Sequence, residues 1–190
     1  LKSIDVESNT SVNVTIPPIT TLDLSNNVAL ESVRIVSFNN LSNVILPVTP
    51  TLTSINITRI ADPTLDFSLI SGLETLTISG SFVPVTITLP NIYTNLNVLT
   101  IQSIDIPLID ISNYINLEQI RFSNTDVETL LLPNSTTLTR ITISSHNLQG
   151  IQNFASLPNL ERLSITNNEN TPLLVNVTQN LALSDINLSS

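Results

Sequence analysis

Apolar residues recur along this chain in a fixed order: one apolar position, two of any kind, an apolar position, one of any kind, and another apolar position. The triplets are Ser11/Val14/Ile16 (serine in the first place), Leu30/Val33/Ile35, Leu52/Ile55/Ile57, Leu73/Leu76/Ile78, Leu96/Leu99/Ile101, Leu117/Ile120/Phe122, Leu138/Ile141/Ile143, Leu160/Leu163/Ile165 and Leu183/Ile186/Leu188. Their starts lie 19 to 23 residues apart. That period belongs to a solenoid, in which a unit too small to bury its own apolar face is covered by its neighbours. The last two apolar positions alternate with period two. This predicts a strand that turns them inward and the intervening residues outward.

A second, shorter alternation follows in each unit, as in Leu65/Phe67, Ile87/Leu89, Ile109/Ile111, Leu130/Leu132 and Val175/Val177, with prolines and other turn residues between the two halves. The predicted fold is mainly β: a right-handed solenoid of about nine coils of 21–22 residues. It has a parallel sheet on one face, short strands and turns on the other, and few or no helices. Gln149–Pro158 is the best place for a single helical or 3₁₀ turn. Asn95, Asn116 and Asn159 precede opening leucines and are assigned to coil corners.

Residues 1–190 show no internal linker and read as one solenoid segment of a longer array or larger protein. In Leu1–Thr10, Ile4-Asp5-Val6 resembles Leu22-Asp23-Leu24, so this stretch is expected to close a preceding coil. Residues 183–190 are expected to open a truncated last one. Neither end carries the atypical repeat that caps a solenoid, and exposed strand edges pair readily with other chains. Self-association end to end is therefore one expectation.

Composition narrows the function. Apolar residues make up 41% of the chain and charged ones 11%, so polarity comes from Asn, Ser and Thr. A formal net charge of −9 excludes nucleic acid as a natural partner. No apolar run approaches the length that spans a membrane. The chain has no cysteine, hence no disulfide, thiolate nucleophile or Cys-based zinc site.

The triplets match the LxxLxL core of the leucine-rich repeat, and Leu1-Lys2-Ser3-Ile4-Asp5-Val6-Glu7-Ser8-Asn9 matches its longer LxxLxLxxN form. Segments such as TTLDLSNNVALESV and LERLSITNN resemble repeats of extracellular leucine-rich-repeat proteins of microbes. The resemblance implies a binding scaffold, an extracellular or cell-surface location, and ligand contact through the first-strand sheet. It departs from the family at the ninth position, where an asparagine ladder is usual. Here Phe38, Ile60, Ser81, Ile104, Thr125, His146 and Asn168 follow one another, which favours a straighter, β-rich variant.

On the outward positions of the first strands, Thr75, Thr77 and Thr100 are small hydroxyl residues, and Arg121, Arg140 and Arg162 fall on three consecutive coils. Guanidinium forks match carboxylates well, so these six residues are the candidate protein-binding surface. The competing explanation is that Glu118 and Glu161 neutralise a solvated face. His146, after Ser144 and Ser145, lacks the partners of a catalytic triad and fits a turn. The acidic pairs Asp62/Asp66 and Asp105/Asp110 lack both the aromatic platforms of a sugar cleft and the dense loop of a calcium site. Trp is absent, and Tyr93 and Tyr114 fall in turns. Thr75/Thr77 and Thr86/Thr88 do not recur in register as an ice-binding face would need. Sequons start at Asn9, Asn13, Asn40, Asn56, Asn134, Asn176 and Asn187, making these the candidate N-glycosylation positions. The sequence points to a non-enzymatic protein-binding or adhesion module, with no cofactor or metal implied. The alternative is a structural spacer or filament subunit.

Overall fold

The structure is a computed structural model that describes residues 1–8, 18–81, 85–89, 95–145, 147–166 and 173–189. The chain forms two compact units, Leu1–Thr94 and Asn95–Ser190. Both are built of parallel strands in solenoid order.

In the first unit, β1 (Ser3–Glu7), β3 (Ser32–Phe38), β5 (Ser54–Ile60) and β7 (Thr75–Ser81) pair in that order in one parallel sheet. Short strands between them, β2 (Thr21–Asp23) with β4 (Asn43–Ile45) and β6 (Thr64–Asp66) with β8 (Thr86–Thr88), form two small parallel ladders. In the second unit the long sheet runs β9 (Val98–Gln102), β11 (Gln119–Thr125), β13 (Arg140–Ser145), β15 (Arg162–Thr166) and β16 (Asp185–Ser189). A second ladder joins β10 (Leu108–Asp110), β12 (Thr129–Leu131) and β14 (Gly150–Gln152). One 3₁₀ turn, Phe154–Ser156, lies inside the stretch expected to hold it.

The apolar triplets set the register. Ile55 stands beside Leu76 and Ile57 beside Ile78. In the second unit Leu99, Ile120, Ile141 and Leu163 form one column, and Ile101, Phe122, Ile143 and Ile165 form the next. The opening leucines Leu30, Leu52, Leu73, Leu96, Leu117, Leu138 and Leu160 are all fully buried. Each such side chain contributes about 1.5–3 kcal/mol on leaving water, so the columns dominate the stability.

Three expectations change. The solenoid has about seven turns rather than nine. Seven opening leucines begin described coils, the Ser11 triplet lies outside the described residues, and the Leu183 triplet forms only β16. Second, Ser3–Glu7 is a long-sheet strand beside β3 and does not close a preceding coil. Leu1/Ile4/Val6 is itself a triplet, and its strand pairs through it: Ile4 with Val33 and Val6 with Ile35. Third, Val175/Val177 forms no strand and stays half-exposed.

In most of the described coils the long strand bends at a residue in the left-handed region: Ser37, Arg59 and Gly80 in the first unit, Ser103 and Asn124 in the second. The ladder skips this residue, so Val36 pairs with Thr58 and Phe38 with Ile60. A left-handed residue therefore turns the chain where the leucine-rich repeat uses an asparagine ladder, and at Asn124 it also shifts the register, between Ser123 and Thr125. The ninth positions close the core instead: Ile60, Ile104 and Thr125 are buried.

Two kinds of corner alternate over most of the described coils. In one, Asp23, Asp66 and Asp110 accept the backbone N–H two residues on, from Ser25, Ser68 and Ser112, at 2.9, 2.9 and 3.0 Å. In the other, hydroxyls reach back to the preceding coil. Thr51 Oγ1 donates toward Val28 and Leu30 carbonyls at 2.9 and 3.0 Å, and Thr137 Oγ1 toward Ile115 and Leu117 at 2.7 and 2.8 Å. Thr49 and Ser135 flank them and also reach Val28 and Ile115. Hydroxyl corners thus take up carbonyls that the Asp corners leave outside any ladder. At Asn159 the corner asparagine works differently from the conformational role assigned to it. It is not among the residues with positive φ, and its amide donates to Thr136 O at 2.8 Å.

Where these corners stack most tightly, only glycine fits. A Cβ at Gly72 would stand 1.9 Å from the Pro50 carbonyl oxygen, whereas at Gly80 it would meet only Arg59 Cγ at 3.5 Å, at φ +60°. We expect Gly80→Ala to cost about 1 kcal/mol for its backbone, and Gly72→Ala to cost distinctly more, roughly 2–3 kcal/mol, because backbone must move. Urea unfolding of the two variants measures the difference; equal losses would contradict the corner stacking.

Candidate functional site

Parallel pairing turns the outward side chains of each long sheet into straight columns about 4.8 Å apart. In the first unit Ser3, Ser32, Ser54 and Thr75 form one column, and Asp5, Arg34, Asn56 and Thr77 the next. In the second unit Val98, Gln119, Arg140, Arg162 and Asp185 form one, and Thr100, Arg121, Thr142, Ser164 and Asn187 the other. The six candidate residues are therefore divided: Thr75 and Thr77 lie on the first unit's face, Thr100 and the three arginines on the second's.

The arginines do not form a straight stripe. Arg140 and Arg162 are register neighbours, while Arg121 faces Thr142 one column over. Neutralisation by Glu118 and Glu161 does not occur through direct ion pairs among the described residues. Arg140 reaches only Gln119 Oε1, at 3.5 Å. Arg162 stands 3.9 Å from Asp185, and Arg121 has no ion-pair partner among the described residues.

The first unit contrasts sharply. Arg34 Nη1 donates to Asp5 Oδ1 at 2.7 Å and lies 3.4 Å from Glu7 Oε2, and Lys2 holds Glu31 at 2.7 Å. These carboxylates raise the pKa of Arg34 and of Lys2, chiefly through the hydrogen bonds to Asp5 and Glu31. Sequence reasoning missed this cluster because Ser3–Glu7 was placed in the other half of a coil; the triplet Leu1/Ile4/Val6 was the signal that could have found it.

The face hydroxyls are uncommitted. Thr75, Thr77, Thr100, Thr142 and Ser164 are half-buried, and their hydroxyls make no hydrogen bond among the described residues. This is the reverse of the corners, where every bridging hydroxyl is engaged.

The other candidates take structural places. Asp62, buried to 4% exposure, accepts Val44 N at 2.8 Å and Thr64 N at 2.9 Å, standing where β4 and β6 form no ladder. Asp66 and Asp110 belong to corners, and Asp105 is exposed without a partner that would group it with Asp110. Thr86 and Thr88 stand beside Thr64 and Asp66, so their pair is not repeated on that neighbour. Ser145 donates to Val127 O at 3.0 Å, and His146 lies outside the described residues, as do Tyr93, Asn9 and Asn13. Tyr114 is half-buried in an Asp corner, and desolvation, with a smaller contribution from Asp110, pushes its phenol up to about 12. Among the sequon asparagines, Asn40, Asn134, Asn176 and Asn187 are exposed and Asn56 is half-buried on β5. No group of three His, Cys, Asp or Glu side chains gathers among the described residues. No described helix is long and apolar enough to cross a membrane.

Hydrogen bonds from Ser25, Ser68 and Ser112 hold Asp23, Asp66 and Asp110 below the ordinary aspartate value of 3.8; the hydroxyl is the larger cause at Asp23 and Asp110 and the backbone N–H at Asp66. A folded-state pKa below the unfolded one stabilises fully above the ordinary carboxyl range, and that stabilisation is lost as pH falls through the lowered values. Asn176 makes the same turn uncharged, accepting Thr178 N at 3.1 Å. The triple variant Asp23→Asn, Asp66→Asn, Asp110→Asn should thus keep its corners and lose part of the fall in melting temperature below pH 4. An acid-side decline as steep as in the parent would show that these carboxylates are not coupled to folding.

Compared with known proteins, the chain matches no protein-family model, and no curated protein matches it.

Proposed function

We propose that this chain is a recognition module of leucine-rich-repeat type in an extracellular or cell-surface protein, and that it binds or adheres to another protein through the long-sheet face of its second unit. It acts by binding, with no catalytic step. The observation that carries the proposal is the contrast between the corners and the face. Hydroxyls that hold the fold are engaged, whereas Thr100, Thr142 and Ser164 are idle beside three arginines that share one long ion pair. A face whose hydroxyls have no partner among the described residues supplies donors for another protein, and guanidinium groups supply the orientation. Exposed sequon asparagines on other surfaces, such as Asn40 and Asn134, are compatible with the extracellular setting.

A structural role is the second reading, favoured by β16. All five of its residues are exposed, with Ile186 at 49% and Leu188 at 53%, and it pairs only with β15 among the described strands. Coils of neighbouring molecules stacking on such an edge would make a filament.

Photo-crosslinking separates the two. A benzoylphenylalanine at Thr142 or Ser164, applied to surface extract of the source cells, should label one protein; the same label at Asn43, on a short strand, should not. Arg121→Glu, Arg140→Glu and Arg162→Glu together should abolish that adduct and leave the melt unchanged. Equal labelling from both positions would contradict recognition through the face, and copy-to-copy adducts from a label at Leu188 alone would favour the filament.

A further inference from the structure

We infer that the arginine cluster of the second unit recognises an acidic segment of another polypeptide in extended conformation, with carboxylates on alternate residues. The inference rests on the recognition reading above and names the chemistry of its partner.

The first ground is charge. In a chain of net charge −9, cations left unpaired on one face are exceptional. Lys2 and Arg34 each hold a carboxylate at 2.7 Å, whereas Arg121 and Arg140 have none among the described residues and Arg162 has one at 3.9 Å. Arg140 and Arg162 are register neighbours, so two like charges stand on strands about 4.8 Å apart, which is unfavourable unless an anion lies between them. Arg121, one strand and two residues from Arg140, has its Cα about 8 Å away by the same strand geometry.

The second ground is a precedent inside the molecule. Arg34 takes Asp5 at 2.7 Å and Glu7 at 3.4 Å, two residues of a single strand separated by Val6. Alternate residues of an extended chain lie on one side, about 7 Å apart. That repeat falls between the two arginine separations and is within reach of guanidinium groups on flexible stems. A helix would instead present carboxylates in a neighbouring cluster at three- and four-residue spacing. Electrostatic complementarity of this kind sets specificity and association rate. A second copy of the chain is a poor occupant: its Asp5/Glu7 pair, the Asp-x-Glu set that lies on a strand, is already taken up by Arg34, and its other one, Asp126/Glu128, lies in the connection between β11 and β12.

Fluorescence anisotropy of the full chain with a short labelled peptide of alternating Glu and Thr tests this. Binding should weaken steeply with salt, and the triple reversal Arg121→Glu, Arg140→Glu, Arg162→Glu should lower affinity at least about tenfold. The milder Arg140→Gln, Arg162→Gln pair should lower it less, guarding against a folding artefact. A peptide of the same composition with its Glu residues contiguous should bind more weakly. Absence of binding, indifference to the reversals, or equal binding of the contiguous peptide would overturn the inference, as would heparin binding to the same arginines in preference to the peptide. If the peptide fails while Arg-dependent crosslinks from Thr142 persist, the acidic-strand inference falls and recognition through the face stands. If both fail, so does recognition.

Discussion

Everything in this molecule depends on one constraint: a coil that leaves the ladder must still find partners for its backbone carbonyls. Parallel strands satisfy themselves along the sheet, but the corners between them cannot. The chain meets the constraint with hydroxyls reaching back one coil, as Thr51 does to Val28 and Leu30 and Thr137 to Ile115 and Leu117. Buried carbonyls without partners would cost about 1–3 kcal/mol each, enough over several coils to undo the gain from the apolar columns. Corner chemistry is thus as necessary to the stack as the leucines.

Alternation of corners also settles where charge can go. Glu31, Thr53 and Glu74 follow opening leucines on successive coils of the first unit, and Glu118, Thr139, Glu161 and Ser184 do so in the second. Acids on adjacent coils would stand at strand spacing, so placing a hydroxyl between them doubles their separation and weakens their repulsion. The intervening hydroxyl donates to the carbonyl of the glutamate before it: Thr53 to Glu31, Thr139 to Glu118 and Ser184 to Glu161, each at 3.3 Å. At this position the charge repeats every two coils, which lowers the repulsion along an acidic stack. Against that orderly background the pair Arg140 and Arg162, adjacent in register, is the exception on which the proposed recognition of a partner rests.

Much of the fold was legible in the residues. Leu117/Ile120/Phe122 and its relatives gave coil, strand and inward face, because burial demands the same apolar spacing each time. Four matters were not legible. β1 was ambiguous, since Ile4-Asp5-Val6 fits either half of a coil and only pairing with β3 decides between them. The left-handed turn at Arg59 and Ser103 uses residues with no left-handed preference, so no local signal marks it. Thr137 and Thr142 look alike in sequence, although one bridges coils and the other faces outward. The arginines of the candidate face were visible as outward positions, but that none of them pairs with Glu118 or Glu161, close by in sequence, required side-chain geometry.

That last contrast offers the most direct test. Threonine to valine is the same chemical change at Thr137 and at Thr142, and equilibrium unfolding of the two variants compares a hydroxyl that holds the stack with one left idle on the face. If corners hold the fold and the face is reserved for binding, Thr137→Val loses about 1–2 kcal/mol, while Thr142→Val is neutral or slightly stabilising on a strand that favours valine. Equal losses at the two positions, or a greater loss at Thr142, would contradict that division.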